Sequence, residues 1–309
     1  MASSSKKVIY AALAGNSLIA VTKFAAAALT GSSAMLSEGI HSVVDTGNQV
    51  LMLYGLKRAA KPPDKNFPFG YGKEVYFWSF VVAILIFALG AGISIYEGII
   101  HLLEPKPVGD PYINYIVLAL AAVFEGAAWY FAFREFAKTK GKWSYVKAVS
   151  RAKDPSIFVV LFEDSAALLG LLTAFLGLFL SQVTGIEYFD GCASIVIGFI
   201  LGGTAVWLAY ETKGLLIGES ADESIVRGIR EIADSYEFVE HVNEVLTLHM
   251  GPDFVLANIS LDFSDRASTG DIEGTIDRLD KEIKGKYTLV KRIFVEAEPR
   301  KENVVKPNT

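Results

Sequence analysis

The chain has 309 residues, of which 52% are hydrophobic, with a formal net charge of −5 and one cysteine. Half-apolar composition and a positive mean hydropathy speak against an ordinary soluble domain, which needs more polar residues to cover its core. The mildly acidic balance gives no reason to expect a nucleic-acid partner, and a lone Cys192 excludes an internal disulfide framework and a cysteine-built zinc site.

A helix that crosses a bilayer needs roughly 20 mostly apolar residues. Six segments qualify in chain order: 8–30, 34–56, 75–103, 112–133, 156–180 and 193–216. No cleavable signal peptide is expected, because MASSSKK runs straight into the first of them. Cys192 reads as a small buried residue at the start of the sixth. Basic residues gather in alternate loops: Lys6 and Lys7 at the start, Lys57, Arg58, Lys61, Lys65 and Lys73 in the second loop, and Arg134, Lys138, Lys140, Lys142, Lys147, Arg151 and Lys153 in the fourth. The first and fifth loops carry none and the third only Lys106. The positive-inside rule then places both termini in the cytoplasm or its equivalent.

Beyond about residue 218 the composition turns charged. Residues 222–235 have Ile225, Ile229 and Ile232 near helical spacing, and 242–250 and 254–263 read as strands about the turn Gly251-Pro252-Asp253. Ser268 or Thr269 caps a helix to about 284, and 289–297 is a last strand stopped by Pro299. The expected fold is therefore an α-helical membrane protein: a six-helix transport domain over 1–217, a cytoplasmic α-β-β-α-β domain over 218–299 that dimerises to cover its sheet, and a disordered tail over 300–309.

Charges inside a spanning helix cost about 2.5–3.5 kcal/mol each on insertion scales, so they mark function. In the second segment Ser37, His41, Asp45 and Gln49 are spaced by four and form one stripe. His41 and Asp45, one turn apart, can present imidazole nitrogen and carboxylate oxygen to one cation. The fifth segment carries Glu163 and Asp164, the fourth Glu125, and the first Asn16 and Lys23. Lys23 competes with metal as the partner of Glu38 or Glu125. Imidazole with carboxylates suits zinc, and also cobalt, nickel, iron or manganese; it disfavours the all-oxygen ions magnesium and calcium.

The residues carry a family likeness. GSSAMLSEGIHSVVDTGNQ, FPFGYGKEV and YFDGCASIVIG resemble the second helix, the second loop and the start of the sixth helix of the cation diffusion facilitator family. SRAKDPSIFVVLFEDSAALLG and VFEGAAW resemble its zinc transporter nine subgroup, which has Glu-Asp in helix five where the wider family carries His-x-x-x-Asp. The resemblance covers nearly the whole chain. It implies a transport site of His41, Asp45 and Asp164. The histidine of the wider family falls at Val160, which cannot bind metal, and Glu163 is its substitute; Glu125 is a possible accessory ligand. A loop site of some members is lost, because Phe67 and Tyr71 stand where histidines would join Asp64. A second family site, in the terminal domain, reads Asn243, Ser260, Glu296 and Glu298. His249 is expected at a surface or an interface.

The resemblance implies a proton-coupled transporter rather than an enzyme, with zinc as cargo, protons as counter-ion, no cofactor, and the bilayer and a second copy of the chain as partners. The rival readings are an exporter of manganese, iron or cobalt with the same fold, a metal-sensing membrane scaffold that does not transport, and an intramembrane metallohydrolase. The last lacks a metal-activated water with a base.

Overall fold

The computed structural model describes residues 2–105, 111–139, 148 and 153–300. The expected disordered tail from 301, Lys106, and the loop residues Lys140, Lys142, Lys147 and Arg151 lie outside the described residues. The chain divides into two compact units, one holding 1–60 and 74–213, the other 61–73 and 214–309.

The first unit is a helical bundle: α1 (Ala2–Thr30), α2 (Ser33–Ala59), α3 (Glu74–Leu103), α4 (Pro111–Thr139), α5 (Pro155–Thr184) and α6 (Tyr188–Ile217). Five of these hold stretches long and apolar enough to span a membrane: Leu13–Thr30, Glu74–Leu103, Tyr112–Ala137, Phe158–Thr184 and Tyr188–Ile217. α2 is not among them. Its sequence is too polar, yet Ser37, Glu38, His41, Ser42, Asp45, Asn48 and Gln49 are all buried, in a helix that packs against α1, α3 and α5. Large apolar side chains such as Val21, Val123, Phe199 and Tyr210 face outward instead. This inversion, polar within and apolar without, is what a lipid solvent selects. Cys192 is exposed, contrary to the expected burial, because Gly191 and Ala193 take the inward-facing positions beside it.

Local chemistry sets the helix ends. Ser32 caps α2 by accepting from the Met35 N–H. Asp154 caps α5 ahead of Pro155, and Gly185, at φ 71°, closes it. α3 and α6 approach closely at glycines: a Cβ on Gly98 would sit 2.7 Å from the Gly191 carbonyl oxygen, and one on Gly198 3.1 Å from that of Ala91. A π-helical segment, Ile86–Ala91, interrupts α3, a detail that apolar periodicity does not reveal.

The second unit contains α7 (Glu223–Asp234), β1 (Val239–Gly251), β2 (Phe254–Phe263), α8 (Thr269–Lys286) and β3 (Val290–Ala297). The sheet order is β1-β2-β3, with β1 antiparallel and β3 parallel to β2. Ser268 and Asp271 form a reciprocal capping box for α8. Ile229, Val242, Ile259, Leu261, Leu279 and Ile283 make the core. Register shifts break the alternation of β1, one of them between His249 and Gly251. His249 nevertheless shares a face with buried Val245 across the unbroken register from Glu244 to His249, and is buried within one copy, not at a surface or an interface as expected. The α2–α3 loop belongs to this unit: a Cβ on Gly72 would lie 2.4 Å from the Met250 carbonyl oxygen, and Phe69 meets Phe294 edge-on, their ring centres 6.4 Å apart.

Candidate metal centre

The polar groups of α2 face two distinct clusters. In the first, the Lys23 ammonium on α1 is fully buried and donates to Glu38 Oε2 at 3.0 Å, Ser42 Oγ at 2.9 Å and Glu125 Oε1 at 2.9 Å. Lys23 is thus shared by both acids for which it competes with metal, and Glu125 is committed to an ammonium. Glu38 packs so tightly on α5 that a Cβ at Gly170 would meet its Oε1.

The second cluster lies one turn further along α2. His41 Nε2 and Asp45 Oδ2 are 3.2 Å apart, close enough for an ion pair, but not aligned as a hydrogen bond, since both imidazole nitrogens are without a hydrogen-bond partner. Asp45 Oδ1 and Asp164 Oδ2 are buried and equally without one. Asn48 Nδ2 donates to Glu163 Oε1 at 2.7 Å, tying α2 to α5. Asp45 stands within electrostatic reach of Glu163 and Asp164. His41, Asp45, Glu163 and Asp164 are all at least nine-tenths buried.

Among the described residues no three His, Cys, Asp or Glu side chains surround a point closely enough to hold a metal. The four groups therefore share a region without yet forming a closed ligand shell. Leaving imidazole and carboxylate atoms buried and unbonded costs about 1–3 kcal/mol each, a cost that a bound cation removes. The donor set of one imidazole and three carboxylates fits a divalent transition ion. Sequence reasoning did not single out Asn48; its position three residues after Asp45, and so on a neighbouring part of the same face, is the signal that could have done so.

Asp64, in the loop, accepts from the backbone N–H groups of Asn66 and Phe67 and from the Tyr71 hydroxyl at 2.6 Å. The Tyr71 bond first, then that of Phe67, holds its carboxyl below the usual carboxylate range. Asp64 thus ties the loop together with its oxygens already engaged. Asp64→Ala should leave the metal dependence of transport within about twofold of the parent while raising protease nicking of residues 61–73. Transport assays and limited proteolysis on the same preparation check both halves. In the C-terminal unit Asn243 Nδ2 donates to Ser260 Oγ at 3.2 Å, Ser260 Oγ donates to Glu298, and Asn258 Nδ2 donates to Glu296 Oε1 at 3.0 Å. Of the positions read as a lost metal site, Asn243, Ser260 and Glu298 are thus joined by hydrogen bonds, while Glu296 is bonded to Asn258 instead.

The family model described as the cation efflux transmembrane domain matches residues 9–217. The chain belongs to the cation efflux family. It is accordingly an integral membrane protein of a transport family rather than an enzyme. Among curated proteins it is 36% identical over 266 residues to the "Proton-coupled zinc antiporter SLC30A9, mitochondrial" of Xenopus laevis and 34% identical over 266 residues to its Homo sapiens counterpart. Each alignment covers 85% of this chain and 47% of the relative. The "Metal tolerance protein C4" of Arabidopsis thaliana is 29% identical over 262 residues, 84% of this chain and 57% of that protein. The chain thus spans about half the length of the first relatives it matches. The likeness to the zinc transporter nine subgroup agrees with these matches.

Proposed function

We propose that the chain carries a divalent transition-metal ion, zinc foremost, across a bilayer in exchange for protons, with His41, Asp45, Glu163 and Asp164 as its ligands. The observation that carries this reading is the set of buried, unbonded atoms on His41, Asp45 and Asp164. Charge supplies the coupling. Around the two clusters, five carboxylates on α2, α4 and α5, Glu38, Asp45, Glu125, Glu163 and Asp164, are buried with the Lys23 ammonium. The negative charge in excess of Lys23 is balanced by the metal, or by protons when the metal has left. Alternating access follows if the helices that bear the ligands rock between openings on the two faces. The names of the SLC30A9 relatives support zinc and proton coupling.

α2 is the sixth span in this reading: 27 residues reach about 40 Å at helical rise, enough to cross the hydrocarbon core. Both termini lie on the side of the basic loops. The chain works as a homodimer through its C-terminal sheet, where Leu246 and Phe294 stay exposed in one cross-sheet row with Asn258. Dimerisation would cover that row.

Metal flux into vesicles reconstituted with the full chain, across a panel of divalent ions and with or without a pH gradient, tests the proposal. Zinc flux driven by an opposing proton gradient is expected; no metal flux of any kind would overturn it. Selectivity is tested by His41→Asp, which exchanges imidazole for a harder oxygen donor. The manganese-to-zinc transport ratio should rise by about tenfold, or 1.4 kcal/mol of differential binding. An unchanged ratio would remove His41 from the ligand set.

A further inference from the structure

A second group of metal-ligating side chains lies at the end of the bundle where α1 turns into α2 and α3 ends. A cavity of about 310 Å³ opens there, and Ser32, Ser33, Glu97, His101 and Glu104 are among the residues that line it. Glu97 and His101 are spaced i, i+4, so α3 presents them on one face, and Glu104 follows at its C-cap. His101 is 94% buried, its relative exposure being 6%, yet its Nε2 makes no hydrogen bond. That atom is 3.9 Å from Oδ2 of Asp190, which is fully buried at the start of α6.

Asp190 is held in place by neutral donors. Its Oδ1 accepts from Ser32 Oγ at 2.7 Å, and its Oδ2 accepts from Ser33 N at 2.6 Å, Ser33 Oγ at 2.9 Å and Ala34 N at 3.3 Å. These bonds fix the carboxylate against the N-terminus of α2. Asp190 Oδ2 already accepts three hydrogen bonds, so at 3.9 Å from His101 Nε2 it lends the cavity negative charge rather than a ligand atom.

We propose that His101 and Glu97, with water completing the shell, form a transit site for a divalent transition-metal ion in this cavity, on the path to the central site. The proposal rests on the reading of the chain as a metal transporter. It goes beyond the site of His41 and Asp45, which lies eight residues along α2 from Ser33 to His41, or about 12 Å. Among the described residues no three ligating groups now surround a point here, so the site is weak. A transit site must be weak, because an ion that binds tightly at the mouth does not move on. Glu97 and Glu104 add negative charge that concentrates cations at the opening.

The test measures binding, so it does not depend on flux. Equilibrium zinc binding is measured on the full chain in nanodiscs with the central site disabled by Asp45→Asn, and again with His101→Gln or Glu97→Gln added. Asp45→Asn should retain one weak zinc equivalent. His101→Gln should remove that equivalent or weaken it at least about tenfold, and Glu97→Gln, at a partly exposed position, should weaken it without disturbing the packing around His101. Absence of any residual zinc binding in Asp45→Asn, or residual binding unchanged by both added substitutions, would overturn the site. Failure of the transport reading shows separately, as absent metal flux from the parent chain in vesicles.

Discussion

Asp45→Asn is expected to lower zinc flux by at least about 100-fold while the protein still folds and inserts. The substitution keeps the shape of the side chain and removes its charge. It also replaces an oxygen that has no hydrogen-bond partner with an amide nitrogen that cannot ligate a cation. Loss of even an outer-shell partner typically costs 10–100-fold in metal affinity, so loss of a charged ligand falls at or beyond the upper end. A single-ligand effect of this kind should appear in flux and in zinc binding at the central site together, with a thermal midpoint no lower than that of the parent. Flux near that of the parent would mean that the ion is held elsewhere.

Lys23→Met is expected to destabilise the bundle by about 3–5 kcal/mol, because it leaves Glu38 and Glu125 buried without their cation. That is a large share of the total stability of an ordinary protein, and on the order of 10 °C in thermal midpoint. The triple variant Lys23→Met, Glu38→Gln, Glu125→Gln removes all three charges and should regain most of the loss, since amides in place of the two acids carry no net charge. Thermal unfolding of the solubilised protein reads both. If Lys23→Met alone melts with the parent, the three-way contact contributes nothing to stability. If the triple variant melts no higher than the single one, the loss in Lys23→Met comes from something other than the unpaired acids.

Much of this arrangement could be read from local patterns. The apolar runs mark the helices, and the four-residue spacing of His41 and Asp45 places them on one stripe of α2. Ile225, Ile229 and Ile232 mark α7, and Ser268 marks the start of α8. Each of these signals is carried within a few turns of chain. What was not legible joins residues far apart in the chain. Lys23 meets Glu125 from 102 positions away, Asn48 meets Glu163 from 115, and Ser33 meets Asp190 from 157. No periodicity encodes which helix faces which. That Lys23 competes for Glu38 or Glu125 was readable from charge alone; that it binds both at once was not. His249 shares a strand face with Val245, and which face of β1 turns to the core is decided by the elements packed on it, not by the alternation itself. The association of the α2–α3 loop with the C-terminal unit depends on Gly72, whose missing side chain admits the Met250 carbonyl, and a single glycine in a loop announces nothing of the kind.

The contact between Lys23 and Glu38 also bears on how the chain reaches its membrane. α1 ends at Thr30 and α2 begins at Ser33, so these two helices emerge from the ribosome as a tight hairpin. α2 alone is too polar to leave the insertion machinery for lipid, and Lys23 alone is an unmatched cation in α1. Folded against each other they present an internally neutralised pair, with Glu38 already held before the partner acid on α4 has been synthesised. The order of helices in the gene is then an order of assembly: a nascent chain that lacks α1 should leave α2 stranded in the aqueous phase, however well its later helices insert.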